Sequence, residues 1–201
     1  MTGTARLPQA EITGLSGWLV KSMAKRMMGG DIPEGVGVMW HSPKVVKDTS
    51  MFGRKANKWP NVPSDLKALS HMVAASTIGC TWCLDFGYYQ SQHEGLDLAK
   101  AREVPRWRAS TVFTPLERRV MAYAEAMCQL PLAVTDDMVD ELQADLGPAG
   151  VLELTAWIAC ANMTARMGVA LGLEAAGMSA HCGLPPLAER EEREEREVER
   201  A

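Results

Sequence analysis

Aromatic residues and long apolar runs are both scarce in this sequence. Only 6% of the 201 residues are aromatic, whereas Ala, Leu and the 13 Met residues are frequent. Because unbranched side chains lose little rotamer freedom in a helix, this composition favours helices over strands. The hydrophobic fraction of 47% is sufficient for a folded core. The sequence therefore predicts an all-α protein.

No apolar stretch reaches the roughly 18 residues that a membrane-spanning helix needs. The amino-terminal residues also lack the basic start, the short apolar run and the small-residue cleavage site of a signal peptide. We therefore predict no integral membrane segment and a cytoplasmic location.

The sequence also lacks an excess of positive charge. Its net charge is −4, and residues 189–201, with seven Glu and four Arg, contribute −3 of it. The rest of the chain is nearly neutral and has no broad basic face, which argues against a nucleic-acid partner. The charged tail has almost no apolar residue, so we interpret it as a solvated end, either helical or disordered.

Cysteines are few and dispersed, which excludes the dense disulfide framework of a small secreted protein. The five include one close pair, Cys80 and Cys83, in the stretch "STIGCTWCLDFG". A structural zinc site needs a second closely spaced pair of ligands, and Cys128, Cys160 and Cys182 do not supply one. We therefore predict no metal and no organic cofactor. The pair itself is either redox-active or made of two small core residues.

Apolar periodicity and capping signals predict a series of helices along the chain. The first helix precedes the glycines at 29 and 30, and its apolar residues should pack on the core or on a partner subunit: Leu15, Trp18, Leu19, Met23 and Met27. An irregular connection follows over residues 31–43, then a short helix near residues 44–55 and a helix from Ser64 towards Gly79. A further helix begins at the cysteine pair and ends near Gly95.

The second half of the chain has stronger helix signals. Thr114 and Glu117 form a predicted capping box with Pro115 at the first helical position. Thr135 caps the next predicted helix, which stops at Gly147. The last long helix, residues 149–172, is apolar nearly all round and should lie inside the domain or inside an oligomer.

The predicted position of the pair favours redox chemistry. Residues three apart lie on the same face of a helix, within reach of a disulfide. A free cysteine with a pKa of about 8.5 is only about 3% thiolate at pH 7. A helix amino terminus contributes at most about 2 kcal/mol, which would lower a thiol pKa to about 7. Moderate reactivity follows from this position alone.

The context of the pair resembles the carboxymuconolactone decarboxylase and alkylhydroperoxidase D family. The matching stretches are "LSHMVAASTIGCTWCLDFG", "FTPLERRVMAYAEAM" and "LTAWIACANMTARMGVALGLE", the last with Asn162 and Arg166 four apart. "MWHSPKVV" resembles the entry segment of the peroxidase-related branch. The resemblance implies an all-helical domain, here residues 36–180, that forms homo-oligomers. Residues 1–35 then form an amino-terminal helix with its connection, and residues 181–201 form a charged tail.

The resemblance also implies roles for individual residues. Cys83 would attack a hydroperoxide and Cys80 would resolve the product as a disulfide. The family also relays protons through a histidine and a glutamate, but Gly87 and Ala68 stand at those two positions. His93 is ten residues beyond Cys83, about 15 Å along a straight helix, and is too far to substitute.

His71 is the substitute that the sequence offers for this relay. It lies three residues after Ala68 on the same predicted helix, hence on nearly the same face and one turn closer to the pair. We take His71 as a third candidate catalytic residue. The alternative is a partly buried histidine with a local hydrogen bond.

The remaining polar and sulfur-bearing residues near the pair receive structural interpretations. Asp85 is expected to satisfy the dipole of its own helix, and Trp82 to shield the cysteines or pack on a neighbour. Asn162 and Arg166 should bond to backbone or pair with an acid. Cys128 and Cys160 are expected in the core, and Cys182 is unassigned.

The sequence thus predicts a CxxC peroxidase-like oxidoreductase that reduces hydroperoxides or exchanges disulfides, with an external thiol as reductant. A lactone decarboxylase is disfavoured because that chemistry needs no vicinal thiols. The alternative from another class is a non-catalytic oligomeric protein of the same fold, in which the pair is a structural or redox-sensing disulfide. The missing glutamate and histidine keep this alternative open.

Overall fold

The computed structural model describes residues 4–28, 32–92 and 95–189. It confirms the all-α prediction, since these residues contain helices and no strand. The helices are α1 (Gly14–Met28), α2 (Glu34–Met39), α3 (Pro43–Asn57), α4 (Ser64–Ile78), α5 (Thr81–Ser91), α6 (Leu98–Glu103), α7 (Pro115–Ala126), α8 (Asp136–Leu171) and α9 (Met178–His181). A 3-10 turn, Val104–Arg106, directly follows α6.

Helix α4 is the centre of the fold and packs against α5, α7 and α8. The main core lies between these helices, and its most deeply buried side chains are Leu69, Met72, Val120, Met121, Leu142, Leu154 and Ile158. Within the parts of the chain that the structure describes, no helix is long and apolar enough to cross a membrane.

The predicted caps are present where the sequence placed them. The Thr114 hydroxyl accepts a hydrogen bond from Glu117 N, and the Glu117 carboxylate accepts one from Thr114 N, which completes the capping box of α7. Thr135 caps α8 in a similar way through Met138 N. Helix α4 spans almost the predicted range and ends at Gly79, whose φ of 82° gives a left-handed end.

Two expectations about the helices need correction. The connection at residues 31–43 contains the short helix α2, which the glycines in its sequence concealed. Helix α5 ends at Ser91, before the predicted Gly95. The predicted stop at Gly147 is confirmed, because the backbone there is not helical (φ 69°, ψ 170°) and α8 consists of two helices joined across this kink. Helix α8 has an exposed outer face, which includes Leu152 and Met163, so it is not enclosed within the domain, and its burial inside an oligomer stays a prediction.

The apolar face of α1 does not pack on the core, and its packing on a partner subunit stays a prediction. Leu15, Trp18 and Leu19 were expected to pack on the core or on a partner, but in the single chain they are 79%, 64% and 57% exposed. Among the side chains of α1 that the structure describes, the buried residues are the small Gly17 and Ala24. The side chains of Met23 and Met27 lie outside the described part of the structure, as do His93 and residues 190–201 of the charged tail.

Candidate active site

A tight turn joins α4 to α5 and places the cysteine pair at the start of α5. Gly79 N and Cys80 N both donate to Ala75 O, at 3.1 and 2.9 Å, which closes the end of α4. The positive φ of Gly79 is costly for any other residue type, so the glycine permits this reversal. Cys80 then becomes the N-cap of α5, and Cys83 lies in its first turn. The sequence predicted this position correctly.

Cys80 and Cys83 form a disulfide, with their Cα atoms 5.3 Å apart. Cys83 N donates a hydrogen bond to Cys80 Sγ at 3.2 Å, so the sulfur of Cys80 itself caps the helix. Both residues are buried, but unequally, with 1% of Cys80 and 7% of Cys83 exposed. Cys83 is therefore the more accessible half of the pair.

Small apolar residues surround the disulfide. Ala75 of α4 and Ala165 of α8 form one buried cluster with the two cysteines, and Ile78, Trp82 and Leu84 pack against it. Gly168 of α8 lies so close that a Cβ atom there would be 2.7 Å from Cys80 Sγ. Trp82 packs over Gly35 of α2, which confirms the expectation that it packs on a neighbour.

His71 of α4 lies against Gly87 in the middle of α5. Its Nδ1 atom is 3.0 Å from the point where a Cβ atom of Gly87 would stand, and its ring centroid is 6.2 Å from that of Trp157. The side chain is half-buried, and burial lowers the pKa of His71 to about 4. The imidazole is therefore neutral at pH 7 and carries one donor and one acceptor nitrogen. Ala68, at the other departure from the family pattern, lies in the main core.

Asp85 does not serve its own helix, and this expectation was wrong. Its carboxylate accepts hydrogen bonds from Met178 N (2.8 Å), Ser179 N (3.0 Å) and Ser179 Oγ (2.6 Å). It therefore caps the short helix α9 from across the molecule. Thr81 Oγ1 accepts another hydrogen bond from the same segment, from Ala175 N at 3.1 Å.

The third thiol near the pair is buried and structural. Cys128 Sγ donates to Ala124 O at 3.1 Å and accepts from Asn162 Nδ2 at 3.3 Å. Asn162 also donates to Ile158 O, and Arg166 donates to Cys128 O, so both residues bond to backbone as expected. Burial raises the pKa of Cys128, against smaller opposing effects of Asn162 and Arg166.

The other two cysteines differ in burial. Cys160 is buried, as expected, and burial raises the pKa of its thiol. Cys182 is exposed. No group of three or more His, Cys, Asp or Glu side chains that could hold a metal ion occurs among the described residues.

The fold and the disulfide define an all-α protein of the alkylhydroperoxidase D-like class. Residues 43–126 match the model of the carboxymuconolactone decarboxylase family, so this part of the chain is similar to members of that family. The resemblance noted in the sequence is thereby confirmed.

A curated relative and two solved structures are similar to the chain. The uncharacterized protein YnjA of Escherichia coli (strain K12) is 31% identical over 106 residues, which are 53% of this chain and 57% of YnjA. The debrominase Bmp8 shares the fold with a TM-score of 0.70 at 19% identity, over 91% of this chain and 97% of Bmp8. An uncharacterized peroxidase-related protein from Silicibacter sp. TM1040 has a TM-score of 0.67 at 14% identity, over 84% of this chain and 89% of its own.

Proposed function

We propose that the protein is a thiol-dependent, peroxidase-like oxidoreductase that uses Cys80 and Cys83 to reduce hydroperoxides or to exchange disulfides. The observation that carries the proposal is the disulfide between the N-cap and the first turn of α5. A pair at this position alternates between dithiol and disulfide with little rearrangement of the helix, and its thiolates are favoured by the helix terminus.

The two cysteines have different roles in this mechanism. The Cys83 thiolate attacks one peroxide oxygen, the O–O bond breaks, and the leaving alkoxide or hydroxide takes up a proton. Cys80 then attacks the sulfenic sulfur of Cys83 and expels hydroxide, which forms the disulfide and, with a proton, water. Two electrons from an external thiol reductant restore the dithiol. The greater exposure of Cys83 supports its role as the attacking thiol.

His71 is the group that we propose supplies the proton to the departing oxygen. Gly87 is four residues after Cys83 and therefore on the same face of α5. The imidazole of His71 lies against Gly87. A neutral imidazole with one donor and one acceptor can deliver a proton and regain it from solvent. The role is thus proposed for a histidine on α4 instead of one on α5.

The proposal includes a cytoplasmic location and a homo-oligomeric state. Exposed apolar side chains on α1 and on the outer face of α8 support self-association, among them Trp18 and Leu152. Light scattering should give a multiple of the chain mass, and Leu152→Glu should lower that mass. A wild-type protein that elutes and scatters as a single chain would contradict the oligomer.

The decisive experiment follows peroxide-driven loss of free thiols in the reduced protein. Wild type should lose two thiols faster than a free thiol does, Cys83→Ser should abolish the acceleration, and Cys80→Ser should stop at a sulfenic acid. His71→Ala should slow the reaction and change its pH dependence. A wild-type rate equal to that of a free thiol, unchanged in Cys83→Ser, would favour the non-catalytic alternative, a structural or sensing disulfide.

The same assay tests a different two-electron acceptor. The debrominase Bmp8 has been crystallised as a variant with 2,3,4-tribromopyrrole, and this compound can be offered to the reduced protein in place of peroxide. If the reduced protein releases bromide from this compound but does not react with peroxide, the oxidant is an organic halide and not a hydroperoxide.

A further inference from the structure

Gly168 of α8 lies against the disulfide. A Cβ atom there would be 2.7 Å from Cys80 Sγ and 3.6 Å from Cys83 Sγ, and apart from its chain neighbours and its own helix backbone no other described atom is within 4 Å of it. The backbone of Gly168 is helical, so its φ does not require glycine. Glycine weakens a helix interior relative to alanine. The contact with Cys80 is therefore the physical reason for glycine at this position.

We propose that Gly168 is a positioning residue that sets the redox balance of the Cys80–Cys83 pair, because its missing side chain leaves the space that Cys80 Sγ occupies in the disulfide. Bonded sulfur atoms are about 2.0 Å apart. Non-bonded heavy atoms need roughly 3.5–4.0 Å. Reduction therefore moves the two sulfurs apart.

The surroundings decide which sulfur has room to move. Cys83 is slightly more exposed than Cys80, which lies in the cluster with Ala75 and Ala165. In the disulfide, the bond to Cys83 holds Cys80 Sγ 2.7 Å from a methyl carbon at position 168, which is too close for non-bonded atoms. Once reduction lets Cys83 move away, Cys80 Sγ can shift from that methyl group, so the substitution penalises the bonded pair more than the separated thiols.

The same contact directs thiol–disulfide exchange towards Cys83. A reductant thiolate attacks Cys83 Sγ, the S–S bond breaks, and Cys80 leaves as a thiolate that keeps the hydrogen bond from Cys83 N. The second thiol of a dithiol reductant then attacks the mixed disulfide, closes its own disulfide and releases Cys83. Cys80 is only 1% exposed and lies against α8 at Gly168, so its sulfur is less open to the same attack.

This inference rests on the redox use of the pair that is proposed above, but it does not require peroxide as the oxidant. The test is equilibration of Gly168→Ala with dithiothreitol buffers, with the oxidised fraction measured by thiol labelling. We expect the equilibrium to shift about tenfold towards the dithiol, which corresponds to a reduction potential about 30 mV less negative. An unchanged equilibrium, or a shift towards the disulfide, would overturn the inference. If the equilibrium shifts but peroxide is not consumed, the proposed function fails and the inference stands.

Gly53 of α3 provides the matched control, since a Cβ atom there meets nothing within 4 Å. Gly53→Ala should leave the redox equilibrium unchanged and raise the urea midpoint.

A second background separates the contact from general damage to α8. Gly168→Ala should lower the urea midpoint of the wild type but raise it in a Cys80→Ala protein, where no sulfur occupies the space. If Gly168→Ala folds only in the Cys80→Ala background, the contact is confirmed. If it lowers the midpoint equally in both backgrounds, or folds in neither, Cys80 is not the cause and the inference is wrong.

Discussion

His71 is a half-buried histidine whose pKa of about 4 lies below the usual value of about 6.5 because of burial. The unfolded chain therefore binds a proton at a higher pH than the folded chain does. The stabilising effect of keeping this imidazole neutral is complete above about pH 6.5 and decreases as the pH falls towards 4, by at most about 3 kcal/mol.

We predict that His71→Gln flattens this part of the stability profile. The measurement is the urea unfolding free energy at several pH values between 8 and 4, in the disulfide form of both proteins. The difference between the two curves should stay constant from pH 8 to 7 and change below pH 6.5 in favour of the variant. Parallel curves throughout this range would show that His71 titrates normally.

At the residue scale, the sequence predicted the positions of the cysteine pair and of the helix caps better than their long-range contacts. Cys80, Cys83 and the capping threonines follow from local spacing, because a cap involves residues only three positions apart. The contacts of Asp85 with α9 and of Gly168 with Cys80 join residues more than 80 positions apart. Local patterns contain no information about such pairs, and a glycine in a helix gives no sign of what it approaches.

At the element scale, the carboxy-terminal segment is attached to α5 by the residues that flank Cys83. Thr81 and Asp85, two positions before and after it, accept hydrogen bonds from Ala175, Met178 and Ser179. Helix α9 has only four residues, so it cannot be stable without such contacts. The attachment of the segment thus depends on a single buried carboxylate more than on the segment's own helix propensity.

We predict that Asp85→Ala destabilises the protein by about 1–3 kcal/mol, because it leaves the amides of Met178 and Ser179 without an acceptor. Hydrogen exchange should increase first in residues 175–184, while the amides of α4 stay protected. Asp97→Ala is the control, since Asp97 caps only its own helix through Ala99 N. Uniformly faster exchange over the whole chain in Asp85→Ala would contradict a local attachment.

Helices with clear end signals were predicted well, whereas a weak helix was not. The caps at Thr114 and Thr135 fixed the starts of α7 and α8. Helix α2 contains two glycines in six residues and gives no periodic signal. The apolar face of α1 was read correctly as a face, but its direction depends on the tertiary arrangement, which periodicity does not encode.

At the scale of the whole molecule, one buried ion pair fastens the loop before α4 to α8. Lys67 Nζ lies 2.8 Å from Glu153 Oε1 and donates to Trp59 O at 2.6 Å. The Glu153 carboxylate also accepts from Asn61 and Val62. Burial by itself would raise the pKa of Glu153, but the Lys67 ammonium and these amides hold that pKa below its usual value.

We predict that Glu153→Gln lowers the free energy of unfolding by about 3–5 kcal/mol, because the Lys67 ammonium remains buried without a counter-charge. The double variant Lys67→Met/Glu153→Gln should lose clearly less than the sum of the single losses in urea unfolding. Additive losses would show that the two side chains act independently.

The packing of His71 against Gly87 has a consequence for the evolution of this site. A side chain at position 87 would begin 3.0 Å from His71 Nδ1 and 3.0 Å from Met72 Cγ, so the two positions compete for one volume. Related sequences should therefore show a covariation, with a large residue at one position accompanied by a small residue at the other. A histidine can move from α5 to α4 only through an intermediate sequence in which both positions are small.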